Sequence, residues 1–173
     1  MRPVVVALAG LPGSGKTTVA RSLEQSLGAH VLSRDSIKRV LFGKHDVGDR
    51  KNELAFDVLM RALPLALEDW NLVVVDGMTF RRFGDMEHLE ESLVNMANLL
   101  ICHIKVSPEL AAARLSVSDP DSPGNRTASL VNTVASSFRK IPPHWIEFDG
   151  GKPVSVVVEA ISDEMILRRW TPR

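Results

Sequence analysis

The sequence predicts an α/β fold in which a parallel sheet of about five strands is covered by helices on both faces, giving three layers. Short apolar runs alternate with helix-like segments, which is the order expected of parallel strands joined by crossover helices. The apolar runs are continuous, as in strands buried on both faces. No shift in composition divides the 173 residues, so a single domain spanning 1–173 is expected.

The predicted elements follow from apolar content and periodicity. The apolar runs predict strands at residues 3–9, 30–33, 72–75, 99–106 and 145–148. Between them, apolar residues recur at spacings of three and four, which is typical of a helix with one buried face. These periodic segments predict helices at residues 16–27, 35–42, 51–69, 85–97, 107–116, 127–138 and 153–169.

The C-terminal segment has features of both a strand and a helix. Its stretch VSVVVEA is rich in valine, which favours a strand. Pro153, however, suits the first position of a helix. In a helix, Val157, Ile161 and Met165 would fall on one apolar stripe. We therefore expect a helix over residues 153–169.

The stretch GLPGSGKTT, residues 10–18, lies between the first predicted strand and the first predicted helix. It matches the phosphate-binding loop pattern G-x-x-x-x-G-K-[ST] at every fixed position. Glycines allow a turn whose backbone N–H groups point inward, and the N-terminus of the next helix adds a positive dipole. This combination holds the phosphates of a nucleoside triphosphate. The loop residues expected to bind the nucleotide are Gly10, Gly13, Ser14, Gly15, Lys16, Thr17 and Thr18.

The same motif predicts the chemistry around the phosphates. Lys16 supplies a positive charge to the outer phosphates and is expected to be catalytic, because phosphoryl transfer spreads negative charge over the moving group. The Thr17 hydroxyl can ligate Mg²⁺. Asp76 closes the apolar strand LVVVD, where a carboxylate can hold a water of the Mg²⁺ shell. ATP is favoured over GTP, since the guanine-reading pattern Asn-Lys-x-Asp does not occur in the sequence.

The segment SRDSIKRVLFG, residues 33–43, predicts a substrate contact. Asp35 follows a strand, and ligands of open α/β sheets bind at the carboxyl ends of strands. We expect Asp35 to contact substrate and to act as the general base for an attacking hydroxyl, with capping of the next helix as the alternative role. Lys38 and Arg39 are candidates for binding an acceptor phosphate or carboxylate, or else belong to a solvated helix face.

A loop of about residues 116–127 is rich in proline, glycine, serine and aspartate and predicts a lid. Arg114 and Arg126 flank it, so its closure would bring cations over the phosphates and exclude water. Both arginines are expected to bind the nucleotide, and Arg126 is also expected to be catalytic. Arg81 and Arg82 follow the Asp76 strand, and Arg81 is a further candidate substrate contact, with an ordinary surface charge as the alternative.

The motifs GLPGSGKTT, SRDSIKRVLFG and VVVDGM and the arginine-flanked lid occur in a recognisable order. Over about residues 3–140 the chain resembles small P-loop kinases of the zeta-toxin and chloramphenicol-phosphotransferase type, the kinase domains of 5′-hydroxyl polynucleotide kinases, and AAA-33 ATP-binding proteins. The resemblance implies an adenylate-kinase-like P-loop NTPase core that uses ATP, Mg²⁺ and a hydroxyl acceptor. It also implies that Lys16 and Thr17 serve phosphate and metal, Asp35 is the base and Arg126 the lid cation.

The sequence therefore predicts an ATP-dependent kinase that phosphorylates a hydroxyl of a small molecule. A polynucleotide or tRNA 5′-hydroxyl kinase is an alternative with nearly the same motifs, although a formal net charge of zero disfavours a nucleic-acid partner. An ATP-dependent switch or assembly ATPase is the other alternative. The acceptor stays open, because segment 43–70 matches no substrate signature, and the oligomeric state is not indicated.

The cellular setting is predicted from cysteine content and hydropathy. The single cysteine, Cys102, offers no disulfide framework, which favours the cytoplasm. No apolar stretch reaches the roughly 18 residues that a membrane span requires, so no membrane partner is expected.

Overall fold

The computed structural model describes residues 2–43, 48–79, 83–116, 128–137 and 141–170. Within these ranges the strands are β1 (Val4–Ala9), β2 (His30–Ser33), β3 (Leu72–Asp76), β4 (Asn98–Lys105) and β5 (Ile146–Asp149). The helices are α1 (Lys16–Leu27), α2 (Arg34–Phe42), α3 (Asp49–Asp69), α4 (Phe83–Leu93), α5 (Pro108–Ser116), α6 (Ala128–Ser137) and α7 (Val154–Leu167). The predicted α/β class is confirmed.

The strands form one parallel sheet in the order β2-β3-β1-β4-β5. Strand β1 is therefore central, with β3 on one side and β4 on the other. At their carboxyl ends Ser33 pairs with Asp76, and Ala9 pairs with His103. Because the strands are parallel, their carboxyl ends meet along one edge of the sheet, and the loop after β1 lies at the middle of that edge.

Alternate residues of β1 contribute to two hydrophobic cores on opposite faces of the sheet. Leu8 packs in one core with Leu23 of α1 and Ile161 of α7. Ala7 packs in the other core with Leu59 of α3. The helices thus cover both faces, which confirms the three layers that the continuous apolar strands predicted. None of the helices in the described ranges is long and apolar enough to cross a membrane.

The valine-rich C-terminal segment forms helix α7, as its periodicity predicted. Val157, Ile161 and Met165 are buried, because their spacing places them on the helix face that packs against the sheet. Pro153 stands immediately before the first helical residue, where the missing N–H of proline costs nothing. Side-chain periodicity therefore outweighs the strand propensity of valine in this segment.

Helix α4 was expected to run to residue 97, but it ends at Leu93. The N–H groups of Met96 and Ala97 both donate to the Leu93 carbonyl oxygen, at 3.0 and 3.1 Å, and close a turn. The next residue, Asn98, already donates its N–H to the Pro3 carbonyl oxygen at 2.8 Å as β4 begins. The chain needs these residues to reverse direction between helix and strand, a requirement that the apolar pattern does not show.

Candidate functional site

The loop between β1 and α1 turns through the left-handed region at three glycines. The φ angle is 140° at Gly10, 81° at Gly13 and 98° at Gly15. A Cβ atom at Gly10 would lie 2.5 Å from the carbonyl oxygen of Ile104, and one at Gly13 would lie 2.4 Å from that of Ala111. Both positions therefore require glycine, for the backbone conformation and for the close approach of neighbouring backbone.

We expect Gly13→Ala to lower the free energy of unfolding by about 2–4 kcal/mol, because the added Cβ would overlap the Ala111 carbonyl group. Gly28→Ala is the matched control: its φ of 65° is also left-handed, but nothing lies within 4 Å of the added Cβ. The free energy of unfolding of this control should fall by only about 1 kcal/mol. Urea denaturation measures both values, and equal losses would contradict the close packing of the loop.

Lys16 begins α1, and its side chain lies inside the loop. Its Nζ atom donates hydrogen bonds to the carbonyl oxygens of Gly10 and Leu11, at 2.9 and 2.7 Å, and to Ser14 Oγ at 3.3 Å. The residue is only 8% exposed. The loop thus holds a cation at the N-terminus of a helix, where two sources of positive potential meet.

Thr17 and Asp76 meet at the carboxyl edge of the sheet. Thr17 Oγ1 donates a hydrogen bond to Asp76 Oδ2 at 2.9 Å. Asp76 is 1% exposed, and its Oδ1 atom has no hydrogen-bond partner among the described residues. A buried carboxylate oxygen without a donor, next to a threonine hydroxyl, fits a hydrated Mg²⁺ ion, which prefers oxygen ligands and keeps several waters. No group of three or more His, Cys, Asp or Glu residues in the described ranges could hold a metal.

A cavity of about 340 Å³, called the main cavity below, opens beside the loop. It is bordered by the loop and by residues of α2 to α6. The residues predicted from the sequence that line it are Gly13, Gly15, Lys16, Thr17, Thr18, Asp35, Lys38 and Arg114. Motifs that lie far apart in the chain thus share one cavity.

Asp35 is the second residue of α2, and its side chain is 27% exposed. The cap of this helix is Ser33, whose Oγ accepts a hydrogen bond from the Ser36 N–H at 3.4 Å. The end of β3 passes close by: a Cβ at Gly77, where φ is 82°, would lie 2.9 Å from the Asp35 backbone nitrogen. Glycine at this position therefore lets the Asp76 strand approach Asp35.

The remaining residues predicted to contact substrate or nucleotide do not all lie at the main cavity. Lys38 lines the main cavity, whereas Arg39, the next residue of α2, is exposed to solvent. Successive helix residues point about 100° apart, and the orientation of α2 turns Lys38 toward the cavity and Arg39 toward solvent. Arg81, Arg126 and the lid loop from residue 117 to 127 lie outside the described residues, and their roles stay predictions.

Arg114, in the last turn of α5, reaches back over the loop. Its Nη1 atom donates a hydrogen bond to the Ser14 carbonyl oxygen at 3.4 Å. Beyond it lies a second cavity of about 270 Å³, which shares Gly15, Thr18 and Arg114 with the main cavity. The rest of this second cavity is lined by Ser14, Val19, Ile104, Gly150, Lys152, Val154 and Val157.

The turn between β5 and α7, which helps form the second cavity, was not singled out from the sequence as a ligand contact. A Cβ at Gly150 would lie 2.9 Å from the Ser14 carbonyl oxygen and 2.8 Å from Ile104 Cγ2, so glycine lets this turn pack against the phosphate loop. The DGGKP stretch, residues 149–153, carries only the glycine and proline signals of an irregular segment. Its contact with a loop more than 130 residues earlier depends on β5 pairing beside β4.

Several residues of the main cavity were also missed by the sequence analysis. They are Arg34, Asp49, Asn52, Glu53, Phe56, Thr79 and Asp85. Four of them lie at the start of α3, and three of these four are polar. The signal available in the sequence was this group of polar residues in the first turns of an amphipathic helix.

His103 lies near the carboxyl end of β4, where it pairs with Ala9 of β1 on one side and Glu147 of β5 on the other. Its Nδ1 atom lies 3.1 Å from Glu147 Oε2, and Lys105 Nζ lies 3.3 Å from Glu147 Oε1. Burial lowers the pKa of His103 below 6.5, and its hydrogen bond to Glu147 offsets only part of this effect. The imidazole is therefore neutral in the folded protein at pH 7.

We expect the free energy of unfolding to fall as the pH drops below about 6.5, since the unfolded chain then binds a proton at His103 that the folded chain excludes. Above that pH the contribution of His103 to the free energy of unfolding is constant. Below it, one such group adds a slope of at most about 1.4 kcal/mol per pH unit to the free energy of unfolding. Urea denaturation between pH 5.5 and 7.5 should show a smaller slope for His103→Gln. His144→Gln, at an exposed histidine, is the control. Equal slopes in wild type and His103→Gln would refute this assignment.

Comparison with known proteins extends these observations. A family model described as an AAA domain, AAA_33, matches residues 5–140. Cytidylate kinases of Pyrobaculum islandicum and Pyrobaculum calidifontis are 28% and 31% identical over 127 and 124 residues, or 69% and 67% of this chain. The matches span only 62% and 61% of those relatives' own lengths.

Solved structures share the fold. A sugar kinase from Janibacter sp. HTCC2649 superimposes with a TM-score of 0.69 at 17% identity, covering 94% of both chains. A gluconokinase from Sinorhizobium meliloti 1021 superimposes with a TM-score of 0.67 at 15% identity, covering 96% of this chain and 97% of that one. At such identities the likeness concerns the fold alone, and that fold is the one found in P-loop kinases.

Proposed function

The chain belongs to the AAA_33 family of AAA domains and has a P-loop kinase fold, and we propose that it is an ATP-dependent kinase that phosphorylates a hydroxyl group of a small molecule. The observation that carries this proposal is that Lys16, Thr17 and Asp35 line one cavity. A phosphate-binding cation, a metal-ligating hydroxyl and a carboxylate base are what transfer to a hydroxyl requires.

ATP would bind with its phosphates in the loop of residues 10–18. The second cavity adjoins this loop through Gly15 and Thr18 and has apolar side chains, which suits the flat faces of a nucleotide base. Arg114, bonded to the Ser14 carbonyl oxygen between the cavities, would contribute a cation close to the phosphates. We also propose that the chain works as one domain and that the lid at residues 116–127 brings Arg126 to the same phosphates.

Thr17 and Asp76 are the residues that would hold Mg²⁺. Their contact at 2.9 Å and the buried Asp76 Oδ1 support this role. When bound, the ion would neutralise part of the negative charge of the phosphates. Lys16 adds a second positive charge from inside the loop.

Asp35 would take the proton of the acceptor hydroxyl. As that oxygen forms its bond to the γ-phosphorus of ATP, the bond from phosphorus to the β,γ-bridging oxygen breaks, and ADP leaves. The hydroxyl proton passes to the Asp35 carboxylate and then to solvent. Ser33, and not Asp35, caps α2. The position of Asp35 in the first turn is therefore compatible with a role as the general base.

A nucleoside monophosphate is a second candidate acceptor. The cytidylate kinases are the sequence relatives that favour it. Arg34 and Lys38 line the main cavity and are cations of the type that bind an acceptor phosphate. Because those relatives are matched over about three fifths of their length, their substrate is transferred here only as a hypothesis.

The test is ADP release by the purified chain with ATP, Mg²⁺ and pools of sugars, nucleosides, nucleoside monophosphates, antibiotics and 5′-hydroxyl oligonucleotides. We expect acceptor-dependent ADP release that is lost in Lys16→Ala and in Asp35→Asn. Release that needs no acceptor and survives Asp35→Asn would instead indicate a switch or assembly ATPase. A preference for oligonucleotides that falls steeply with salt would indicate a polynucleotide kinase.

A further inference from the structure

Helix α3 presents a polar face to the main cavity. Asp49 is one helical turn from both Asn52 and Glu53, and all three residues line the cavity. Phe56 follows on the same face and is 7% exposed, and from there the face becomes apolar toward Leu59 of the core. The first two turns of α3 therefore direct polar groups at a space that a ligand can fill, while the later turns pack against the sheet.

Asn52 carries an unsatisfied oxygen in this wall. Its Oδ1 atom is buried and accepts no hydrogen bond from the described residues. A buried carboxamide oxygen without a donor is energetically unfavourable, so a ligand that supplies a donor gains the free energy of the missing bond. The terminal torsion of asparagine is broad, which allows the carboxamide to turn its oxygen toward the cavity at little cost.

Carboxylates predominate in the part of the cavity that α2, α3 and α4 line. Of the ionisable residues described there, four are acidic and two are basic: Asp35, Asp49, Glu53, Asp85, Arg34 and Lys38. Carboxylates and the asparagine oxygen accept hydrogen bonds, as do the oxygens of an ionised phosphate. Hydroxyl and amino groups donate them. This wall is thus complementary to a phosphoryl acceptor that is rich in hydrogen-bond donors. It disfavours an anionic acceptor, because Arg34 and Lys38 offset only two of the four negative charges.

We propose that the acceptor is a polyhydroxylated molecule without a phosphate or carboxylate group, and that Asn52 determines specificity by accepting a hydrogen bond from one of its hydroxyls. This inference rests on the proposed kinase activity and specifies the substrate class of that site. Phe56 provides an apolar surface at the inner end of the same helix face, against which the carbon skeleton of a polyol packs.

The first experiment compares three acceptor pools with the wild-type chain, ATP and Mg²⁺: neutral polyols, amino sugars, and sugar phosphates, sugar acids and CMP together. We expect kcat/KM to be at least tenfold higher for the best neutral polyol or amino sugar than for any anionic acceptor. The first two pools separate a neutral from a cationic ligand. A preferred anionic acceptor overturns this inference and leaves the kinase proposal standing. Failure of every pool counts against the kinase proposal, and the inference falls with it.

The second experiment uses Asn52→Ala with the best acceptor. Loss of one hydrogen bond should raise the acceptor KM about tenfold, while the KM for ATP stays unchanged. Asn95→Ala, at an exposed asparagine after α4, is the matched control and should keep both values. Thermal denaturation of both variants checks that they are folded. An unchanged acceptor KM in folded Asn52→Ala overturns the assigned role of Asn52.

Discussion

Asp35→Asn should reduce the kcat for acceptor phosphorylation by about 100- to 10,000-fold, which is the usual contribution of a general base. The substitution keeps the shape of the side chain and removes its ability to take a proton. Because Asp35 stands on α2 and the phosphate loop on the β1–α1 connection, the Kd for ATP should change less than about threefold. A coupled ADP assay and calorimetric titration of ATP measure the two quantities separately.

Asp57→Asn is the matched control for that substitution. Asp57 is an exposed aspartate of α3, so the same chemical change there should leave both kcat and the Kd for ATP at wild-type values. Near-normal turnover in Asp35→Asn would show that another group takes the proton. A parallel loss of ATP affinity would instead place Asp35 in nucleotide binding.

Lys16→Ala should lower kcat by about 100- to 1,000-fold and weaken ATP binding as well, because it removes the cation inside the loop that we propose binds the phosphates. It also removes the three hydrogen bonds from Nζ to Gly10, Leu11 and Ser14 that hold the loop. Both ground state and transition state lose stabilisation, so kcat falls and the Kd for ATP rises together.

The control for this variant is Lys105→Ala. Lys105 ends β4, has a side chain that is 64% exposed and contacts Glu147, and it lines neither cavity. Removing its charge should leave turnover at wild-type levels. ATP affinity equal to wild type in Lys16→Ala would contradict the nucleotide-binding role of the loop lysine.

Most of the fold could be predicted from local patterns. The continuous apolar strands LVVVD and VVVALA can only be buried on both faces, which requires helices on each side of a parallel sheet. The periodicity of residues 154–167 was enough to choose a helix over a strand. The end of α4 was misplaced because the turn after Leu93 is set by where β4 must begin, and no local residue pattern marks that point.

The candidate site was predictable where a motif carries its own geometry. The spacing of Gly10, Gly15 and Lys16 specifies a turn and a helix N-terminus, and Gly15 and Lys16 line the main cavity together with Asp35. For the helix that follows Asp35, the sequence offered Lys38 and Arg39 equally, and only the orientation of α2 directs Lys38 toward the cavity.

The sequence by itself determined the layered sheet and the phosphate loop, because strand burial and loop geometry follow from residues that are neighbours in the chain. Only the tertiary structure decided which residues of α3 line the main cavity and how the second cavity forms. Asn52 reaches the site because α3 packs against α2, and Gly150 because β5 pairs with β4. Such contacts depend on how separate elements pack, and a polar helix face looks the same in sequence whether it meets solvent or a cavity.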